Sequence, residues 1–63
     1  MQYQQGNKVV VIAAESVSPY KVGDTGTVIY DEGGSTVKVS LPQKPSGHGI
    51  FRYRIKLARR LNP

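Results

Sequence analysis

The side chains best suited to chemistry are few in this sequence of 63 residues. The single histidine, His48, lies between Gly47 and Gly49, and the sequence contains no cysteine. A zinc or copper site needs several histidine or cysteine ligands, so the sequence predicts neither a metal site nor a disulfide. The flanking glycines also predict that His48 is an exposed loop residue with no catalytic partner.

The serines and one acidic triplet give no catalytic pattern either. The serines fall mostly in turn-like segments, and neither a Gly-x-Ser-x-Gly elbow nor a phosphate-binding P-loop is present. Asp24-Thr25-Gly26 spells the triplet of aspartic protease active sites, but a chain of this length would have to act as a dimer. A turn explains these residues better, with Asp24 capping its loop and Gly26 starting a strand at a crowded position. We therefore expect no enzymatic activity and no cofactor.

Basic residues are the most prominent chemical feature of the chain. Nine Lys+Arg stand against four Asp+Glu, which gives a net charge of +5. Residues 36–63 hold seven of the cations and none of the acids. This asymmetry indicates an anionic partner, and the alternative is a solvated outer surface. The candidate contacts are Lys38, Arg52, Arg54, Lys56, Arg59 and Arg60, with Lys21 and Lys44 from the loops.

The aromatic residues offer little for stacking against nucleic-acid bases. Tyr20 follows a proline in the first loop and is the one candidate stacking residue, with packing against the domain as the alternative. Tyr30 and Tyr53 are expected in the core or at its rim, and Phe51 in the core. The sequence therefore does not predict a dedicated stacking platform.

The periodicity that must position these residues is that of short strands. The expected strands are 8–14, 25–30 and 36–41, with loops over 15–24 and 42–49 and a hairpin turn over 31–35. Val37, Val39 and Leu41 alternate with polar residues and are expected to face the core. In the loop over 42–49, two prolines and two glycines argue against regular structure.

The last segment, residues 50–61, allows two interpretations. An uninterrupted strand would place Arg52, Arg54 and Lys56 together on one face. Alternatively, a strand over 50–53 leads into one helical turn over 54–57 and a final strand over 58–61. We favour the second interpretation because a small barrel needs a corner before its closing strand.

Four or five strands and no convincing helix predict an all-β fold. Closing the sheet into a small five-stranded barrel would remove exposed edges and cover the apolar face. We expect a flexible N-terminal tail over residues 1–5 and one barrel domain over 6–63. A domain of this size is marginally stable.

Residues 6–12 (GNKVVVI) and 21–29 (KVGDTGTVI) resemble the KOW pattern of SH3-like barrels, in which a glycine and a valine-rich strand precede a polar loop and a second such strand. The resemblance covers about a third of the chain. It implies an SH3-like barrel. Many KOW domains contact RNA, DNA or a polymerase through their loops and one barrel face.

The same region is similar to the small SH3-like accessory subunit of photosystem I, subunit IV. The shared features are Gly6-x-Lys8-Val9, Glu15-Ser16, Val22-Gly23 and a Thr27-Val28 pair leading to Asp31. This similarity implies a basic barrel that docks an electron carrier and neighbouring subunits.

Together these observations predict a small non-enzymatic binding module with a basic face. Nucleic acid, or a nucleoprotein or transcription complex, is the expected partner, with mostly phosphate contacts and low sequence specificity. The alternative is a protein-docking barrel for an acidic protein, either a photosystem-accessory-like subunit or a small viral regulator of a host complex. The longest apolar run has six residues, so no membrane span is expected, and we expect a cytoplasmic protein.

Overall fold

The computed structural model describes residues 2–58, which form five strands and one short 3₁₀-helix. In chain order the elements are β1 (Lys8–Val11), β2 (Thr25–Tyr30), β3 (Thr36–Leu41), β4 (Lys44–Phe51), the 3₁₀-helix (Arg52–Arg54) and β5 (Ile55–Leu57). This part of the chain contains no helix with the length and apolarity needed to cross a bilayer.

All five strands belong to one antiparallel sheet, in the order β4-β3-β2-β1-β5. The predicted all-β class with five strands is confirmed, and the arrangement is consistent with a small SH3-like barrel. The edge strands β4 and β5 do not pair with each other, so the sheet is not closed. Because only the 3₁₀-helix separates them in the chain, the sheet must curl to bring these two edges near each other.

The core lies on the concave side of this curled sheet and is built mainly from branched aliphatic side chains. Its buried members are Val9, Val11, Tyr20, Val28, Val37, Val39, Leu41, Ile50 and Ile55. The predicted inward positions of β3 are therefore confirmed. Gly26 belongs to the same layer because a Cβ atom there would lie 2.5 Å from Val39 Cγ1 and 2.7 Å from the Ser40 carbonyl oxygen. β2 and β3 can approach this closely only because residue 26 has no side chain.

The predicted loop over residues 42–49 is wrong, since β4 begins at Lys44 after a turn at Pro42 and Gln43. Pro45 is tolerated because β4 is an edge strand and pairs only with β3, so a missing backbone N–H need not interrupt a second ladder. Gly47 has a φ of +109° near an irregularity in the β3–β4 register. Because β4 includes residue 48, His48 is a half-buried strand residue rather than an exposed loop residue.

The corner before the closing strand exists, but it comes earlier than predicted. The helical turn is at Arg52–Arg54 rather than 54–57, and β5 is at Ile55–Leu57. The predicted final strand over 58–61 lies largely outside the described residues. The first strand ends at Val11, three residues before its predicted end.

The N-terminal residues 2–5 contact the domain. The Tyr3 backbone N–H donates to Asp31 Oδ2 at 2.7 Å, and the Tyr3 hydroxyl donates to the Ile55 carbonyl at 3.3 Å. The half-buried Tyr3 ring packs against the core. The described part of this segment therefore lies against the sheet.

Candidate nucleic-acid interface

Three lysines from three different strands share the convex face of the sheet. Cross-strand partners project to the same face, and successive residues of one strand alternate between faces. Lys8 pairs with Thr27, Lys38 with Tyr30, and Lys56 with Val10, while their neighbours Val9, Val37 and Ile55 are buried. We call Lys8, Lys38 and Lys56 the lysine face.

The pairing register arranges the lysine face as a diagonal. Lys56 on β5 is opposite Val10, two residues along β1 from Lys8. Lys8 pairs with Thr27 on β2, and Thr27 pairs with Ser40 on β3. Lys38 lies two residues before Ser40 on β3. In the order Lys56, Lys8, Lys38, each lysine therefore lies two residues further along the strand direction than the one before it. A diagonal step between neighbouring strands is about 7–8 Å, and Lys8 and Lys38 are separated by one further strand spacing of roughly 4.8 Å.

Among residues 2–58, no acidic side chain belongs to a strand of the lysine face. The four acids of the chain, Glu15, Asp24, Asp31 and Glu32, all lie in the connections that follow β1 and β2. Asp24 accepts hydrogen bonds from the Lys21 backbone N–H in its own loop and from the Gln43 side chain in the turn between β3 and β4. The sheet surface therefore has a positive charge that no acidic side chain on the described strands neutralises.

A groove of about 390 Å³ lies beside Lys8 on this face. Its wall carries the hydroxyl groups of Thr25, Thr27 and Ser40. Lys8 Nζ donates to Thr27 Oγ1 at 2.8 Å, which holds the ammonium group at the groove. Ser40 Oγ donates to the Pro45 carbonyl at 2.9 Å, so the threonine hydroxyls are the donors left beside the ammonium group. A cation next to hydroxyl donors is a suitable arrangement for a phosphate group.

Lys38 is positioned by the bare backbone of Gly47. A Cβ atom on residue 47 would lie 2.8 Å from Lys38 Cε and 2.6 Å from Ile29 Cδ1. The aliphatic part of Lys38 therefore packs over β4, and the side chain is half-buried. This packing restricts the side chain before any partner binds, which lowers the entropy cost of using it.

Arg52 does not belong to this surface, because it is occupied by an internal ion pair. Its Nη1 and Nη2 atoms donate to Asp31 at 2.7 and 2.6 Å, and Nε and Nη2 donate to the Gly34 carbonyl at 3.1 and 2.7 Å. The Asp31 side chain is fully buried. The hydrogen bonds from Arg52 hold the pKa of Asp31 well below its ordinary value, and the backbone N–H groups of Tyr3 and Gly33 add to this.

Arg54 lies with two exposed aromatic rings that the sequence did not predict as a unit. Phe51, expected in the core, is 44% exposed, and Tyr53 is 66% exposed. The two rings stack at a centroid distance of 5.6 Å and an interplanar angle of 17°. The Arg54 guanidinium lies 5.5 and 5.4 Å from the two ring centroids, and its hydrogen bonds to the Tyr53 hydroxyl raise the pKa of Arg54. We call Phe51 and Tyr53 the ring pair.

Tyr20 is not a stacking residue for a ligand, because it is 5% exposed and belongs to the core. Its ring meets the ring of His48 edge-to-face at a centroid distance of 5.6 Å. The alternative interpretation of Tyr20, packing against the domain, is the one confirmed.

The remaining candidate cations among the described residues, Lys21 and Lys44, are not part of the lysine face. Lys21 is exposed in the loop between β1 and β2, and Lys44 is exposed at the first position of β4. Arg59 and Arg60 lie outside the described residues. Lys8, in contrast, was missed, although the alternation of β1 around Val9 and Val11 already predicts that it faces outward.

Comparisons with protein-family models, with curated proteins and with solved structures find no match.

Proposed function

We propose that this protein is a non-enzymatic module that binds nucleic acid through its lysine face, mainly by contacts to phosphate groups. The observation that carries the proposal is the diagonal of Lys8, Lys38 and Lys56 on a sheet face whose described strands carry no acidic side chain. Lysine ammonium groups neutralise phosphates and release condensed counterions, which gives affinity without sequence specificity.

An acidic protein is the alternative partner, since ammonium groups also bind carboxylates. The exposed tyrosine next to Lys38 favours nucleic acid, because Tyr30 is 50% exposed and pairs directly with that lysine. An aromatic ring beside a phosphate-binding cation suits a nucleotide, whose base and phosphate are close together. The burial of Tyr20, by contrast, removes one ring from the surface and favours protein docking.

The test is a salt titration of binding to a short single-stranded oligonucleotide. With three phosphates neutralised, the logarithm of the affinity should fall with log salt at a slope of about −2. This slope corresponds to a loss of roughly 20-fold between 50 and 200 mM salt. Lys38→Gln combined with Lys56→Gln should reduce the slope to about −0.7.

Lys21→Gln is the matched control, because it removes an exposed lysine that lies off the lysine face. It should leave the salt slope nearly unchanged. Absence of binding at low salt, or an equal effect of the control and the face variants, would refute the proposal. Binding to an acidic polypeptide but to no oligonucleotide would support the alternative partner.

A further inference from the structure

The lysine diagonal continues beyond Lys38 to the ring pair. Lys38 pairs with Gly49 on β4, and Thr36, two residues before Lys38, pairs with Phe51. Because Thr36 and Lys38 share a face, Phe51 also projects to the convex side and is a diagonal neighbour of Lys38. The order along the surface is therefore Lys56, Lys8, Lys38 and then Phe51, with one further step along the sheet at each residue.

The ring pair is built as a rigid surface. The nearly parallel rings are in the offset-stacked range of distances, and the Arg54 guanidinium packs against both. The Arg54 side chain is only 12% exposed, whereas the rings are 44% and 66% exposed. The cation thus supports the rings from within the protein, and the rings present aromatic surface to solvent.

The distribution of charge favours Lys38 over Arg54 as the residue that contacts the phosphate. Glu15 Oε2 lies 3.8 Å from Arg54 Nη2 and is well exposed, so the charge of Arg54 is partly neutralised. Lys38 has no acidic side chain beside it on the strands that the structure describes, and it lies diagonally next to Phe51. A base on the rings would therefore have its backbone phosphate directed toward Lys38.

We propose that the ring pair is a base-stacking site and that the ligand is a single strand of RNA or DNA running along the diagonal from Lys56 to Phe51. This inference rests on the proposed function and adds to it the class of nucleic acid. A single strand has exposed base faces and bends easily over a convex, curled sheet. A duplex hides its base faces and resists bending on this length scale.

The experiment compares three labelled probes of the same length, roughly 12 nucleotides, by fluorescence anisotropy at about 50 mM salt. The probes are oligothymidylate, an abasic strand with the same phosphates, and a duplex. Stacking of one base typically changes affinity by about 5- to 150-fold, so oligothymidylate should bind tighter than the abasic strand by a factor in this range. It should also bind more tightly than the duplex.

Variants separate the stacking site from the lysine face. Tyr53→Leu should remove most of the preference for the base-bearing strand and leave the abasic affinity and the salt slope unchanged. Tyr53→Phe keeps the ring and should behave like the natural protein. Val17→Ala is the control for loss of an exposed apolar side chain, since Val17 is 88% exposed in a loop.

Two results would overturn the stacking site and leave the proposed function intact. One is equal binding of the abasic and the base-bearing strands, and the other is an unchanged preference in Tyr53→Leu. Absence of binding to every probe would instead overturn the proposed function together with this inference. Thermal melting of each variant shows that it is folded, which the exposure of Tyr53 leads us to expect.

Discussion

Replacing Gly26 by alanine tests the close approach of β2 and β3 that forms the centre of the sheet. The new Cβ atom would lie 2.5 Å from Val39 Cγ1 and 2.7 Å from the Ser40 carbonyl oxygen. Val39 is fully buried and branched at Cβ, so its methyl group cannot move aside easily, and the carbonyl belongs to the backbone. The two strands must therefore separate.

The magnitude follows from two opposing contributions. Overpacking of a core costs about 1–3 kcal/mol, and two short contacts place Gly26→Ala in the upper half of that range. Alanine also reduces the conformational entropy of the unfolded chain, which offsets the destabilisation by about 0.4–1 kcal/mol. The net loss of roughly 1–2.5 kcal/mol should lower the melting temperature by about 5–20 °C in a domain of this size.

The assay is thermal unfolding followed by circular dichroism, with Gly34→Ala as the matched control. A Cβ atom on residue 34 would have no atom within 4 Å, and its φ is not in the positive range. That variant should stay within about 1 kcal/mol of the natural protein. In a double-mutant cycle, Val39→Ala should make the loss in Gly26→Ala smaller, by about 0.5 kcal/mol or more. A Gly26→Ala protein that melts no lower than the natural one would refute the reasoning.

Two further predictions concern the ion pair beneath the turn after β2. Because the folded state lowers the pKa of Asp31, its carboxylate stabilises the fold above the unfolded-state pKa of about 3.9, and this contribution is lost as the pH falls below that value. Asp31→Asn should therefore be less stable than the natural protein at pH 7, with the difference shrinking in acid melts; a difference that is constant with pH would contradict the assignment. Arg52→Ala should lower the melting temperature, because it leaves a buried carboxylate without its main partner, and should leave the salt slope of oligonucleotide binding nearly unchanged. A smaller salt dependence of binding with an unchanged melting temperature would instead assign Arg52 to the binding surface.

Strands β1, β2 and β3 were readable from the sequence because β1 and β2 are rich in β-branched residues and β3 alternates polar and apolar residues. In β3, the residues Val37, Val39 and Leu41 face the core without interruption, and local propensity and burial agree. β4 could not be recognised, since Pro45, Gly47 and Gly49 have low strand propensity. Their place at a sheet edge, with one backbone irregularity, depends on pairing with β3 and leaves no local signal.

The ring pair was missed because the alternation changes phase at the 3₁₀-helix. Ile50 and Ile55 are both buried although they are five residues apart, a spacing that an uninterrupted strand does not allow. Phe51 faces outward because it follows the buried Ile50 in β4, and the helical turn accommodates the odd spacing between Ile50 and Ile55 with Tyr53 exposed. The basic character of this segment is evident from its composition, but the pairing of Arg52 with Asp31 spans 21 positions and has no signature in spacing.

The Asp31 carboxylate also has a consequence for the order of folding events. It accepts from Tyr3, Gly33 and Arg52, and therefore joins the chain start, the turn after β2 and the turn before β5. The hairpins β2–β3 and β3–β4 are local in the chain and can form first, whereas these three segments meet only when the whole sheet is in place. The Gly33 contact is local to the turn, whereas we expect the long-range contacts of Asp31 with Tyr3 and Arg52 to form late, so weakening them should speed unfolding and leave the refolding rate almost unchanged.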